Sequence, residues 1–458
     1  MPNWPAEHAA TSGRVFAWTP AWLVLAVALW PLPGPAEAVL SLGALAVAGQ
    51  LGWLAARGRT LPLDRRAFVL AGLLFAAYWL PELLSAPDAL DRGRAWKEVV
   101  ADLRYLPLLW GVAIAVREPR GRGWLLGGIA LVALAWTMDA LLQAMAGSSP
   151  LFAALDALKG WSGGGPLCPP DEVLAPDRIN GIFGACNPKL GLVLASLSPF
   201  ALAWAATRGR AWAWAWCVAA AVLGVAILLG GARAAWLTFG LVALVSGWRV
   251  LGARRLAGFA LAGVLALVAL YVVSPQLQQR VERTALALQA DAGGVDGALS
   301  GRGRIWQGAL CMAREHPLNG VGVRGFRQAW PGCDQAAAEA PAWGEGDALH
   351  AHQLLLELLS ETGLLGLLSW LGGAWVAWRA WRHSGAAARR EAGPAGLALV
   401  ATTFPLNTHL AFYSTFWGGV LMLLAGLYVG LLHARRARGL RPAQVPGAGG
   451  VGSPRPRS

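Results

Sequence analysis

The chain has 458 residues, of which 56% are hydrophobic and only 14% charged, with a mean hydropathy of +0.48. This composition excludes a water-soluble globular domain. The net charge of +13 is read first as a topology signal, because basic loops of a membrane protein give a high isoelectric point without any nucleic acid.

Apolar stretches of about the 17–25 residues that a helix needs to cross a bilayer recur along the chain. Taken in order they run 15–33, 38–56, 67–84, 103–116, 124–146, 189–206, 212–230, 234–248, 256–273, 353–378, 395–413 and 415–433, twelve in all. The expected fold class is therefore an all-α polytopic membrane protein with about twelve transmembrane helices. An N-terminus in the cytoplasm places Arg57, Arg59, Arg65, Arg66, Arg117, Arg120, Arg122, Arg249, Arg254, Arg255, Arg379, Arg382, Arg389 and Arg390 on the inner side, where basic residues are retained during insertion. The reversed topology puts most of the basic charge outside.

The first eleven residues are polar and no short apolar core with a small-residue cleavage site follows, so the first span is expected to stay as an anchor. After residue 434 the chain is basic and rich in Pro and Gly, the composition of a disordered cytoplasmic tail. The expected organisation is five spans over 1–146, an outer loop at 147–188, four spans over 189–273, a large outer loop at 274–352, three spans over 353–433 and the tail at 434–458.

Chemistry is expected in the two outer loops. They hold Cys168 and Cys186 in the first and Cys311 and Cys333 in the second, with Cys217 inside a span. An oxidising compartment permits Cys168–Cys186 and Cys311–Cys333 bridges, although four cysteines allow three pairings. Metal binding is the competing reading, and no CxxC or HxxxH spacing supports it. Within the second loop, Pro275–Leu288 and Arg302–Glu315 have helical apolar spacing, and Gly320 to Phe326 reads as a glycine-permitted turn. That glycine run lacks the preceding strand and following Lys-Ser/Thr of a nucleotide-binding loop, so ATP use is not expected.

The outer-facing arginines stand against the insertion bias. Arg233 lies in Gly230-Gly231-Ala232-Arg233-Ala234-Ala235-Trp236. The bland reading is a side chain snorkelling to the interface, but the flanking small residues also permit close approach of other backbone or a ligand. Arg302 and Arg304 begin a loop helix, where the helix dipole already favours an anion, and Arg324 follows in the same loop. Guanidinium donates paired hydrogen bonds to phosphate, so several converging arginines point to a phosphorylated lipid.

His350 and His352 stand where the second loop re-enters a span carrying Glu357 and Glu361. Capping that span is the bland role. A neutral imidazole able to take a proton from a hydroxyl is the functional one, with Glu357 or a loop carboxylate to orient it. His316 is expected at a helix end and turn, and His409 near the outer end of the eleventh span.

An ordered set of short elements resembles the O-antigen ligase superfamily. They are Arg178-Ile179-Asn180-Gly181-Ile182-Phe183-Gly184 through Asn187-Pro188-Lys189, Gly231-Ala232-Arg233-Ala234-Ala235, and Gly301-Arg302 with Trp306. His316-Pro317-Leu318-Asn319-Gly320-Val321-Gly322 follows, then Ala351-His352-Gln353 and Glu361-Thr362-Gly363-Leu364-Leu365-Gly366. The set covers roughly residues 175–370 and owes its specificity to order and spacing. The resemblance implies a GT-C-like, inverting glycosyltransferase that uses neither metal nor nucleotide. Its donor is a glycan on undecaprenyl diphosphate and its acceptor a hydroxyl of lipid A–core, at the periplasmic face of the bacterial inner membrane. The family's histidine is usually followed by Asn; His352 with Gln353 is the best match, and His350 becomes its neighbour. The family's basic residues map to Arg233 and Arg302. His352, Arg233 and Arg302 are thus the expected catalytic residues. His350, Arg304, Arg324, Arg178, Asn187 and Lys189 are expected to bind substrate, Arg304 and Arg324 on electrostatic grounds alone. An O-antigen polymerase or a protein O-oligosaccharyltransferase would use the same donor. A lipid-glycan flippase would spread its charge along a path through the membrane instead.

Overall fold

The computed structural model describes residues 15–161, 163–174, 178–207, 211–273, 278, 282, 302–334, 348–405, 407 and 411–434. Secondary structure there is helical: α1 Thr19–Ala28, α2 Pro33–Ala56, α3 Arg65–Ser85, α4 Arg92–Asp102, α5 Tyr105–Ala115, α6 Pro119–Ala146, α7 Pro150–Trp161, α8 Leu190–Ala205, α9 Trp212–Leu229 and α10 Arg233–Val273. Then follow α11 Arg302–Glu315, α12 Phe326–Cys333, α13 Leu354–Glu357, a π-helical turn Leu358–Thr362, α14 Gly363–His383, α15 Ala386–Thr402 and α16 Thr415–Leu432.

Seven helices among the described residues are long and apolar enough to cross a membrane, fewer than the twelve crossings expected from hydropathy. The others fall short in length: α1, α5, α8 and α15 have 10, 11, 16 and 17 residues. Proline accounts for part of the difference. Pro33 follows α1 closely, and α15 stops before Pro405, whose ring disfavours helix in the preceding residue. The expected eighth and ninth spans form one element, α10, broken at Gly252 (φ 74°, ψ 169°). Of the expected loop helix Pro275–Leu288, only Gln278 and Glu282 lie among the described residues. His409 and the tail beyond residue 434 lie outside them.

The core is built on α8 and α16, whose faces are buried almost all round. A helix apolar on every side has no polar stripe to present to water and is stable only inside the bundle. Glycines let α16 approach α5 closely: a Cβ on Gly426 would lie 2.7 Å from Val112. Such small-residue contacts are the usual means of close helix packing where lipid removes the hydrophobic drive.

The described part of the segment at 274–352 is joined to the bundle through backbone. Val321 N donates to Ser360 O (2.8 Å), Gly322 N to Glu361 O (3.0 Å), Leu364 N to Pro317 O (2.9 Å) and Leu365 N to Leu318 O (3.0 Å). The His316–Gly322 and Glu361–Gly366 motifs are therefore two halves of one joint. Gly320 (φ 65°) and Gly363 (φ 64°) make it, since a Cβ on either would strike the other strand of the joint. The π-turn at Leu358–Thr362 turns its backbone carbonyls outward to these amides.

A second clamp comes from the connector between α3 and α5. Leu90 N donates to Val321 O (3.1 Å), Asn319 Nδ2 to Asp88 Oδ2 (2.7 Å) and Gln328 Nε2 to Asp91 Oδ2 (3.2 Å). Disulfides Cys168–Cys186 and Cys311–Cys333 bridge the segments at 147–188 and 274–352, with Cα separations of 5.5 and 5.7 Å. The second ties α11 to α12.

Candidate functional site

Four segments meet where α8, α10 and α11 begin and α9 ends. The first carries Arg178. It is held by Ile179 N donating to Leu229 O at the end of α9 (3.3 Å) and by Gly181 N donating to Gln143 Oε1 on α6 (2.7 Å). The second begins α10 with Arg233. Gly231 turns with φ 71°, and Ala232, Ala234 and Ala235 are buried. Their small size is used by α8: a Cβ on Gly191 would lie 3.7 Å from Ala235 and 3.8 Å from Ala232. Trp236 Nε1 donates back to Ile227 O (3.1 Å), fixing the α9–α10 corner that presents Arg233.

The third segment is α11, which starts at Arg302. Ile305, Ala309 and Met312 bury one face, and Gly308 admits the Trp330 ring of α12. Arg302 is only 6% exposed. The fourth is the re-entry of the second loop. Ala351 and Leu354 are fully buried on either side of His352, which takes the left-handed conformation with φ 52°. A non-glycine residue pays for that conformation, and such residues collect where a side chain must be aimed. Gln353 locks the position from the next residue: its Oε1 accepts Leu356 N (2.6 Å) and its Nε2 donates to Pro405 O (3.0 Å). The His350 and His352 rings lie 3.8 Å apart, inclined by 41°.

Electrostatics tie these segments together. Burial, then the neighbouring charges of Arg233 and Arg178, lower the Arg302 pKa to about 10. Burial, then the charge of Arg302, lowers the His352 pKa to about 4. His352 is therefore a neutral imidazole near neutral pH, with the Arg302 guanidinium as its charged neighbour.

Other expected binding residues have different neighbours. Arg304 Nε and Nη2 engage the Asp334 carboxylate at 3.0 and 2.7 Å. Positions i and i+2 face different sides of a helix, so Arg302 and Arg304 diverge. Arg324 (φ 60°) donates its backbone N–H to Glu361 Oε2 (2.8 Å), and its Nε lies 3.7 Å from Glu98 Oε1. Lys189 Nζ is bonded to Asn187 Oδ1 (2.9 Å) and stands 5.0 Å over the Phe416 ring. Glu357, expected as a partner for the histidines, instead accepts Tyr413 N (3.4 Å). His316 ends α11, its N–H bonded to Met312 O (2.9 Å) and its C=O to Gly320 N (3.0 Å).

The α3–α5 connector went unremarked in the sequence, where the first five spans contributed topology alone. Its signal was the cluster of charge between the third and fourth apolar stretches, with Asp88, Asp91 and Glu98 interleaved with Arg92, Arg94 and Lys97.

A family model described as O-antigen ligase matches residues 218–371, from α9 into α14. The matched stretch contains Arg233, Arg302, His350 and His352, and it supports the family read from the sequence motifs. No curated protein matches the chain.

Proposed function

We propose that the chain is a ligase that transfers a glycan from undecaprenyl diphosphate to a sugar hydroxyl of lipid A–core at the periplasmic face of the inner membrane, with inversion and without a metal. The observation that carries this reading is the grouping of His352 with Arg302, and of Arg302 with Arg233 and Arg178, with His352, Arg302 and Arg233 inside the stretch that matches the O-antigen ligase family.

The reaction needs a base at the acceptor and cations at the departing diphosphate. The acceptor oxygen attacks the anomeric carbon, its proton passes to the His352 imidazole, and the anomeric C–O bond to the diphosphate breaks with its electron pair leaving on the carrier. Arg302, Arg233 and Arg178 stabilise the charge that accumulates on that diphosphate. His350 stands beside the base, its ring 3.8 Å away and tilted by 41°. Arg304 and Arg324 act at one remove, by holding α11 to α12 and the glycine turn to the π-helical segment. An apolar cleft of about 410 Å³ between α3, α10, α14, α15 and α16, lined by residues such as Leu74, Trp370, Phe412 and Tyr428, has the chemistry to take part of a polyprenyl chain.

In this reading the termini are cytoplasmic and the segments at 147–188 and 274–352 periplasmic. The deciding experiment is reconstitution of the purified protein with undecaprenyl-diphosphate glycan and lipid A–core in EDTA. Ligation gives a discrete increment in the size of lipid A–core. Lengthening of the lipid-linked glycan without change in lipid A–core would identify a polymerase instead, and loss of transfer on adding EDTA would overturn the metal-free mechanism.

A further inference from the structure

Helix α7 is turned the wrong way for a helix in water. Its two charged residues, Asp156 and Lys159, face the chain: Asp156 Oδ1 accepts Leu167 N (2.6 Å) and Lys159 Nζ donates to Pro166 O (3.0 Å). Phe152 lies against Gly184, and Leu155 packs on the main core. What remains exposed is apolar throughout: Leu151 (38%), Ala153, Ala154, Ala157, Leu158 (58%), Gly160 and Trp161 (87%). Leu151, Ala154, Leu158 and Trp161 follow the i, i+3, i+7, i+10 spacing of one helical stripe.

The helix is held at the end of a candidate membrane span. Helix α6 ends at Gly147 (φ 79°), and Ser149 caps α7 by accepting Phe152 N (3.0 Å) while donating to Asp139 Oδ2 of α6 (2.7 Å). Asp139 Oδ1 also accepts Leu151 N (3.0 Å). Three residues thus separate the span from α7, and two residues of α7's first turn are bonded to that span or to its cap. With 12 residues α7 is about 18 Å long, too short to cross a hydrocarbon core of about 30 Å. A short helix with one apolar face, ending in tryptophan at the mouth of a span, fits the interface between acyl chains and headgroups.

We infer that α7 is an interfacial helix whose Leu151–Ala154–Leu158–Trp161 stripe lies in the outer leaflet. The loop closed by Cys168–Cys186, which follows α7 and carries Arg178, is thereby kept at the level of the lipid headgroups. The inference rests on the bilayer and not on the glycosyl transfer, so its failure would leave the proposed reaction standing.

The test is spin labelling of the full chain in phosphatidylethanolamine–phosphatidylglycerol vesicles. In a Cys217→Ser background, labels are placed by Ala154→Cys and by Leu158→Cys, with Leu131→Cys on the exposed side of α6 as the bilayer reference and Arg314→Cys on α11 as the aqueous one. A non-reducing gel confirms that Cys168–Cys186 stays bridged, and the small residue at 154 keeps the test readable if the 158 variant folds poorly. The inference predicts labels at 154 and 158 more accessible to oxygen than to a soluble nickel chelate, like that at 131. Greater accessibility to nickel, like that at 314, would put the helix in water and overturn it. Low accessibility to both would mean that protein, such as a second copy of the chain, covers the stripe, and would overturn it equally.

Discussion

The backbone N–H of Arg324 donates to the wholly buried carboxylate of Glu361 at 2.8 Å, across 37 residues of sequence. Through this bond a glycine turn of the segment at 274–352 is fixed to the π-helical segment that follows the His352 re-entry. Removing one partner of a buried hydrogen bond costs about 1–3 kcal/mol. Glu361→Ala should therefore lower stability by about 2 kcal/mol, with Glu361→Gln less damaging because its amide oxygen still accepts. Thermal unfolding in detergent, followed alongside transfer activity, checks the order.

The two glycines of the same joint make a sharper pair. Gly320→Ala and Gly363→Ala each place a side chain at positive φ and against backbone. Left-handed conformation alone costs a non-glycine residue roughly 1–2 kcal/mol. Gly372→Ala, in α14 with nothing within 4 Å of the added Cβ, should be neutral or stabilise by up to about 1 kcal/mol. Comparison of the three melting temperatures tests whether the joint, and not glycine content in general, holds the loop.

Much of this was readable from the chain and some was not. Arg302, Arg233 and His352 stand out in the sequence because each violates a local expectation, a cation on the side expected to face outward or an imidazole at a span's mouth. Arg302 and Arg304 could not be told apart, since the distinction lies in Asp334, thirty residues away and brought near by α12. Twelve spans were expected from hydropathy, which measures apolar length. It does not register the change from α to π hydrogen bonding at Leu358–Thr362, or the short helices that end near prolines. The clamp from Asp88, Asp91 and Glu98 was hidden because its partners, Asn319, Gln328 and Arg324, are polar loop residues with no periodic pattern.

Arg302 and Arg304 give opposite predictions in consequence. Arg302→Lys should reduce transfer by about 10²–10³, the usual loss for one donor to developing charge, while the protein stays folded. Arg304→Ala should retain transfer in the folded fraction but weaken the attachment of α11 to α12, so its defect appears as a lower melting temperature. Initial rates normalised to folded protein separate the two.

The depressed His352 pKa sets a pH dependence. Its folded value, about 4, lies below the ordinary 6.5, so the unfolded chain binds more protons between those values, and this group's contribution to stability is lost as pH falls through that window. The acid limb of kcat/KM, which reports the free enzyme, should lie well below 6.5. In the residual activity of Arg302→Gln it should move upward, because one of the two causes of the depression is gone. A limb that stays in place in that variant would mean that Arg302 does not act on the base.

The Cys311–Cys333 bridge is expected to matter and the free Cys217 is not. Cys311–Cys333 closes 22 residues and fastens the helix that begins with Arg302, and such a bridge typically contributes about 2–4 kcal/mol. The double Cys→Ser variant at 311 and 333 should lose stability and transfer together. Cys217→Ser, within α9, should change neither. Activity before and after a reductant, in each background, checks this.

The claim on which the reaction depends is that His352 and Arg302 work as one unit in one transition state, and a double-mutant cycle on transfer rates tests it most directly. Groups that act together show losses that do not multiply. The account predicts that His352→Ala and Arg302→Ala each reduce the rate severely, and that the double variant is about as slow as the slower single one. Losses that multiply in the double variant, or normal transfer by His352→Ala, would contradict it.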